Sequence, residues 1–111
     1  MGYIKHNVMI FTSWDKRNLI KVRKFATTLL GSLVTNIKSS NVNSTFTFFI
    51  APDGSKEGWT ESDIADDCRQ KIADFVNSMA YSDGSNVITF VDVSYSNDDR
   101  EVLVANNNVV R

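Results

Sequence analysis

The chain has 111 residues and a formal net charge of −1, and it contains one cysteine and one histidine. A chain of this length folds as one domain with its own core and requires no disulfide or metal for stability. One cysteine and one histidine cannot complete a zinc site, and no apolar run is long enough to cross a bilayer. We therefore expect a single cytoplasmic domain over residues 1–105 and a polar tail over residues 106–111, with no metal and no cofactor.

Alternation of side-chain types predicts a first strand over Tyr3–Trp14. If Ile4, Val8 and Ile10 face the helices, the other side chains lie on the face of the sheet that the helices leave open. The candidate open sheet face then consists of Tyr3, Met9, Phe11 and Phe49. A bare apolar face is a liability in a monomer. Either the C-terminal segment covers it, or another protein or a second subunit of a homo-oligomer does, and we favour association.

Positive charge is concentrated in the first third of the chain. Asp15 is a good N-cap, and apolar residues then recur at helical spacing up to Gly31, which predicts the first helix. The exposed side of this helix carries five basic residues, which are Lys16, Arg17, Lys21, Arg23 and Lys24. Such a face is usually solvated surface, and the alternative is a surface that binds phosphate groups or an acidic partner.

A hairpin is predicted next, because a polar turn separates a short second strand, Leu33–Ile37, from a third strand, Thr45–Ile50. Both faces of the third strand are apolar or β-branched, which is typical of a central strand. Pro52 then ends the strand because it has no N–H to donate, and an Asp-Gly turn follows.

The loop after Pro52 surrounds an aromatic side chain with charged ones. Its candidate binding residues are Asp53, Lys56, Glu57 and Trp59. A tryptophan flanked by charges is typical of an interface anchor. The alternative is a structural role, in which Trp59 packs against the start of the second helix.

The second helix begins with the pattern of a capping box formed by Thr60 and Asp63, and Ser62 is an alternative cap. Apolar residues then recur at helical spacing, and Cys68 lies on the resulting stripe, where we expect it to pack as a small hydrophobe. The opposite, solvated face is predicted to include Arg69.

The last predicted strand is Val87–Tyr95, and an extra edge strand over Glu101–Ala105 is an option. The order strand, helix, strand, strand, helix, strand indicates an α+β fold. It predicts a ferredoxin-like βαββαβ sandwich, with an antiparallel sheet and both helices on one face. Right-handed crossovers place the first and third strands at the centre of that sheet.

Three segments, HNVMIFTSWD, FFIAPDGSKEGWTESD and YSDGSNVITFVDVSYSNDD, carry a resemblance to a known family. They are similar to segments of an uncharacterised family of small tailed-bacteriophage accessory proteins, and the Ala-Pro-Asp-Gly-Ser-Lys-Glu-Gly-Trp loop at Ala51–Trp59 is the most specific part. The basic first helix and the Asn-rich end depart from the family pattern, so the partner need not be shared. The resemblance implies a setting, the cytoplasm of an infected bacterium, and no established reaction.

Small accessory phage proteins often bind a host enzyme or block a defence system, so the resemblance implies that this protein binds a host protein. A nucleotide or nucleic-acid binding protein is the alternative, because aromatic side chains on the first and third strands of such a sheet can stack bases. Phe11 and Phe49 have roughly that placement, but the signature of the RNA-recognition motif is missing. The sequence has no P-loop, nucleophile elbow or zinc spacing, so we expect no enzymatic activity.

Overall fold

The structure is a computed structural model that describes residues 4–96 and 102–109, so Tyr3 and Glu101 lie outside the described residues. Its helices and strands are β1 (Lys5–Ser13), α1 (Lys16–Leu30), β2 (Lys38–Ser39), β3 (Phe46–Ile50), α2 (Thr60–Asn77), β4 (Thr89–Ser96) and β5 (Val102–Asn107). The predicted α+β class and antiparallel sheet are confirmed.

The five strands form one antiparallel sheet in the order β2-β3-β1-β4-β5. Strands β1 and β3 are adjacent and each has a neighbour on both sides, so their predicted interior positions are confirmed. In the centre of the sheet, Ile10 of β1 lies opposite Phe49 of β3 and Val91 of β4. The optional fifth strand is present and forms one edge.

The second strand is shorter and begins later than predicted. Residues 31–33 form a 3-10 turn, and β2 has only two residues. Between them, Thr35 donates its backbone N–H to the Phe49 carbonyl at 3.0 Å, while its own hydroxyl oxygen accepts from the Phe49 N–H at 2.9 Å. A side-chain oxygen thus takes the place of a backbone carbonyl. The predicted strand Leu33–Ile37 is wrong in its bounds, although the hairpin between β2 and β3 is confirmed.

The ends of the helices follow from their first and last residues. The Asp15 carboxylate accepts a first-turn backbone N–H of α1 at 3.2 Å, and Gly31 ends the helix with φ 56°, as predicted. The capping box predicted for α2 is wrong. Trp59 is the N-cap residue of that helix, and its carbonyl accepts from the Asp63 N–H at 3.2 Å. Thr60 is therefore already inside the first turn.

Both helices pack on one face of the sheet and share a core with it. The fully buried members of this core include Met9, Phe11, Leu19, Val22, Ala26, Phe48, Ile50, Ile72, Ala73, Val76, Ile88 and Phe90. The Phe11 ring stacks on Phe48, with 4.6 Å between centroids, and on Phe90, with 6.1 Å. A row of three aromatic rings thus joins the strands β3, β1 and β4 beneath the helices.

The prediction that Met9 and Phe11 lie on the open face is wrong, because both are fully buried. The predicted alternation of β1 is correct, but its two faces are interchanged, so Ile10 faces away from the helices. The physical reason is volume, since the long Met9 and Phe11 side chains fill the space under the helices, where Phe11 gains two ring contacts. Phe49 does lie on the open face, as predicted, and is 43% exposed.

Strand β5 continues two residues beyond Ala105, to Asn107. Asn108 then extends the pairing with its side chain, because Oδ1 accepts from the Phe90 N–H at 2.9 Å and Nδ2 donates to the Ile88 carbonyl at 2.7 Å. An amide side chain can do this because it carries an acceptor and donors like a peptide group. Residues 106–108 therefore bond to the sheet through both backbone and side-chain groups.

Truncation of Phe11 and of Phe49 tests the orientation of β1. Phe11→Ala removes buried ring contacts and leaves a cavity, so we expect a loss of about 3–5 kcal/mol in the free energy of unfolding. Phe49→Ala removes a side chain that is 43% exposed and lies outside the core, so we expect a smaller loss of about 1–2 kcal/mol. Equilibrium unfolding in urea measures both values, and equal losses would contradict the orientation described here.

Candidate functional site

The sheet face opposite the helices carries a polar row, formed by Thr47, Thr12 and Thr89, and three further rows of side chains, which together we call the open face. Residues paired across antiparallel strands point to the same side of a sheet. The rows are Phe49, Ile10 and Val91; Val8, Val93 and Val104; and His6, Tyr95 and Val102. Eight of these nine side chains are apolar or aromatic, so the open face is a continuous, mainly hydrophobic surface.

Much of the open face is accessible to solvent. Ile10 is 37% exposed although it belongs to the central strand, and Val102 and Val104 are exposed at the edge. The rings of His6 and Tyr95 contact each other with 5.1 Å between centroids. A contiguous exposed apolar surface of this kind is typical of sites where another protein binds.

The predicted binding loop is tied to the sheet, because Lys56 forms an isolated bridge with the residue before β1. Trp59 is 49% exposed, and Lys56 Nζ lies 5.8 Å from the centroid of its ring, within the range of a cation–π contact. Asp53 accepts a 2.6 Å hydrogen bond from Ser55 Oγ. Glu57 instead lines a cleft described below. The structure therefore brings Lys56 and Trp59 together but does not gather all four predicted residues into one site.

The predicted basic face of α1 belongs to the helix layer and not to the open face. Arg23 has a structural role, because Nε donates to the Thr35 carbonyl at 2.8 Å and Nη2 donates to Asn36 Oδ1 at 3.1 Å. Lys16 Nζ lies 5.5 Å from the ring centroid of Phe46. The remaining members are exposed, namely Arg17, Lys21 and Lys24. A solvated helix face accounts for these positions.

A cleft that the sequence pattern does not predict lies between the N-terminal half of α2 and the strands β1, β4 and β5; we call it the polar cleft. Its volume is about 460 Å³, and its charged lining residues are Lys5, Glu57, Asp66, Arg69 and Asp92. Asn7, Gln70 and Asn106 contribute amide groups, and Ala105 is the one apolar residue of its lining. The polar cleft thus combines cationic, anionic and neutral hydrogen-bonding groups.

Two charged side chains at the polar cleft are almost completely buried, with Arg69 6% and Asp92 7% exposed. Arg69 Nη2 donates to Asp66 Oδ1 in an ion pair within α2, and Arg69 Nε lies 4.0 Å from Asp92 Oδ2. Asp92 Oδ1 accepts from Asn7 Nδ2 at 3.3 Å. Both contacts to Asp92 are long, so they compensate its buried charge only weakly.

Burial raises the pKa of the Asp92 carboxyl group above its ordinary value of 3.8. The hydrogen bond from Asn7 and the charges of Arg69 and Lys5 lower this pKa, and the nearby charge of Asp66 raises it. Because removal from water disfavours the charged form, the desolvation effect outweighs the partners. A carboxylate with a pKa shifted by burial inside a cleft is a recognised mark of a functional site.

Ser94 adds a second unusual group at the same place. It is 2% exposed, and its hydroxyl is the one buried side-chain group without a hydrogen-bond partner in the part of the chain that the structure describes. It lies on the inner face of β4, two residues from Asp92 and opposite Asn7 of β1. Buried hydroxyl groups are normally paired, so unused hydrogen-bonding capacity is concentrated beside the polar cleft.

The prediction that Arg69 lies on the solvated face of α2 is wrong, because its side chain is buried against β4. Helical spacing assigns a polar residue to the solvated face of a helix and takes no account of a buried partner of opposite charge. The signal that could have revealed the pair is Asp92, which is the only charged residue in the apolar run VITFVDVSY. Alternation places it on the same face as Phe90, so it needs an inward-facing partner.

Comparisons with protein-family models, with curated proteins and with solved structures found no match to this chain. Among the described residues, no helix is both long and apolar enough to cross a membrane. Within residues 4–96 and 102–109, no group of three or more His, Cys, Asp or Glu side chains could hold a metal ion. Cys68 is a buried free thiol, as its place on the apolar stripe predicts.

The raised pKa of Asp92 predicts a specific dependence of stability on pH. Because the folded protein holds this proton more tightly than the unfolded chain, its contribution is fully present below pH 3.8 and is lost as the pH rises through the folded-state value. Asp92→Asn removes the titrating carboxyl group and with it this contribution to stability. We therefore expect the free energy of unfolding of the variant, relative to the wild type, to increase as the pH rises through that window.

Urea unfolding of both proteins across a series of pH values measures the difference. The control is Asp74→Asn, which makes the same change at an exposed carboxylate of α2 that does not line the polar cleft. A difference between Asp92→Asn and the wild type that falls with rising pH would show that Arg69 and Asn7 outweigh burial.

Proposed function

We propose that this protein acts by binding another protein through the open face. The observation that carries the proposal is the uncovered row of Phe49, Ile10 and Val91 across the middle of the sheet. Ile10 and Phe49 leave 37% and 43% of their surfaces in solvent, at positions where a second layer would bury them. Burial of such a row against a partner is favourable by about 25 cal/mol per Å² of apolar surface removed from water.

A host protein of an infected bacterium is the partner that we propose, with inhibition or counter-defence as the outcome, in the bacterial cytoplasm. The phage resemblance of the Ala51–Trp59 segment supports this setting. The geometry is compatible with a binding role because Trp59 is half exposed and held by Lys56 at the end of the sheet. Trp59 is therefore a second candidate anchor.

Binding of a nucleic acid to the sheet is the weaker alternative. It requires exposed aromatic rings on both central strands, whereas Phe11 is stacked between Phe48 and Phe90 inside the core. The basic residues of α1 lie in the helix layer and would not follow a strand bound on the open face. A self-associating protein, in which a second copy covers the open face, remains a variant of the main proposal.

We also propose that the architecture is a ferredoxin-like sandwich extended by one strand. The neighbours of β1, which are β3 and β4, support this assignment, as does the packing of both helices on one face. In this arrangement the face opposite the helices is free by construction, which agrees with the use of the open face for binding.

Charged substitutions on the open face test the proposal. We expect Phe49→Asp and Val104→Asp each to abolish capture of a stoichiometric bacterial protein, because a carboxylate cannot be buried there without a partner. The matched control is Val42→Asp, which makes the same type of change at an exposed position in the hairpin turn. The assay is an affinity pull-down from bacterial lysate with and without nuclease, and circular dichroism verifies the fold of each variant.

Two outcomes of this assay would contradict the proposal. Capture of the same protein by the folded Phe49→Asp and Val104→Asp variants would exclude the open face. Loss of the captured material after nuclease treatment, with no protein retained, would favour the nucleic-acid alternative.

Trp59→Ala tests the second candidate anchor. The side chain is half exposed and contacts Lys56, so we expect the free energy of unfolding to fall by about 1 kcal/mol or less. If Trp59 is an anchor, capture should weaken by about tenfold or more. Loss of cooperative unfolding in the variant would show instead that Trp59 has the structural role.

A further inference from the structure

We propose that the polar cleft binds a small zwitterion of the amino-acid class. In this proposal Lys5 and Arg69 bind the carboxylate of the ligand, while Glu57 and Asp92 bind its ammonium group. The polar cleft lies on the helix side of the sheet, so this site is distinct from the open face and does not depend on the proposed protein partner.

The charges of the lining determine the class of ligand. A simple anion attracted by Lys5 and Arg69 would also meet the carboxylates of Glu57, Asp66 and Asp92. A simple cation would meet Lys5 and Arg69. A ligand that carries both charges a few ångströms apart can pair with both sets, because each of its groups is placed next to the opposite sign.

The size and polarity of the polar cleft narrow the class further. Its volume of about 460 Å³ lies within the ~300–1,000 Å³ range of small-molecule pockets. Ala105 is the one apolar residue of the lining, so the polar cleft offers little surface for a fatty chain or an aromatic ring. A small polar molecule fits this lining better than a large hydrophobic one.

The buried groups beside the polar cleft retain hydrogen-bonding capacity that a ligand could use. Arg69 has five N–H donors, and its hydrogen bond to Asp66 uses one of them. Asp92 accepts one hydrogen bond, a long one from Asn7. The Ser94 hydroxyl, 2% exposed, has no partner among the described residues. A buried hydroxyl group without a partner is unusual in a protein interior, and this one lies beside two incompletely paired charged groups.

Binding should also depend on pH in a defined direction. The groups that face Asp92 are Asn7 and Lys5 from β1 and Asp66 and Arg69 from α2. An ammonium group beside Asp92 favours its ionised form, whereas burial raises the pKa of Asp92 when no ligand is bound. Affinity should therefore increase as the pH rises through the raised pKa of Asp92, and a ligand held by Lys5 and Arg69 alone would not produce this increase.

The test uses the full chain with the free standard L-amino acids as probes, first by thermal shift and then by titration calorimetry. We expect at least one amino acid to bind in a saturable manner. For that probe, the corresponding amide lacks the carboxylate charge and the corresponding des-amino acid lacks the ammonium charge. Each analogue should bind at least about tenfold more weakly, because one set of charged partners is left unpaired.

Variants at partly exposed lining positions keep the test independent of folding. Lys5→Gln and Glu57→Gln should each weaken binding about tenfold. The matched controls are Lys71→Gln and Glu61→Gln, which remove the same charges from exposed positions of α2 outside the lining, and these should leave affinity unchanged.

Three results would overturn the proposal. The first is no binding by any free amino acid up to about 10 mM, which is weaker than ordinary specific sites. The second is equal binding of an analogue that lacks one charge. The third is unchanged affinity in both Lys5→Gln and Glu57→Gln, which would place the ligand elsewhere on the protein.

Discussion

The inward orientation of Phe11 on the central strand β1 is the constraint on which the rest of the structure depends. Its ring stacks with Phe48 of β3 and Phe90 of β4, so three strands present one aromatic row to both helices. Because side chains alternate along a strand, the same orientation turns Ile10 towards the open face. It also turns Asn7 towards the N-terminal half of α2, where it lines the polar cleft. Both candidate sites therefore follow from the packing of one side chain.

Local sequence signals predicted the elements that depend on neighbouring residues in the chain. The Asp15 cap, the end of α1 at Gly31, the strand Phe46–Ile50 and the burial of Cys68 were all accessible in this way. Caps, glycine at positive φ and apolar periodicity act over three or four residues. The α+β class follows from the order of such elements and needs no knowledge of distant contacts.

The wrong predictions concern features that only tertiary contacts determine. Both alternating sets of β1 contain large apolar side chains, so the pattern gives the period of the strand but not the face that is buried. The polar start of the inner set, Lys5 and Asn7, favours the wrong choice because it appears suited to solvent. Asn7 faces inward and donates a hydrogen bond to Asp92 of β4, and Asp92 in turn lies 4.0 Å from Arg69 of α2. The buried face of β1 and the polar cleft at its end both depend on contacts between residues far apart in the chain. A local sequence pattern therefore predicts neither of them.

The charges of the polar cleft are difficult to explain by stability alone. Arg69 Nε and Asp92 Oδ2 are 4.0 Å apart, so their attraction recovers only part of the cost of removing both groups from water. Replacement of a buried ion pair by apolar side chains is often neutral or stabilising, by about 1–4 kcal/mol. An apolar core already reaches Phe90 on β4, and two apolar residues in place of Arg69 and Asp92 would extend it without burying a charge. A ligand that pairs with both charges, as proposed above, would change this balance, because it would add partners to the ones that Asp66 and Asn7 already supply.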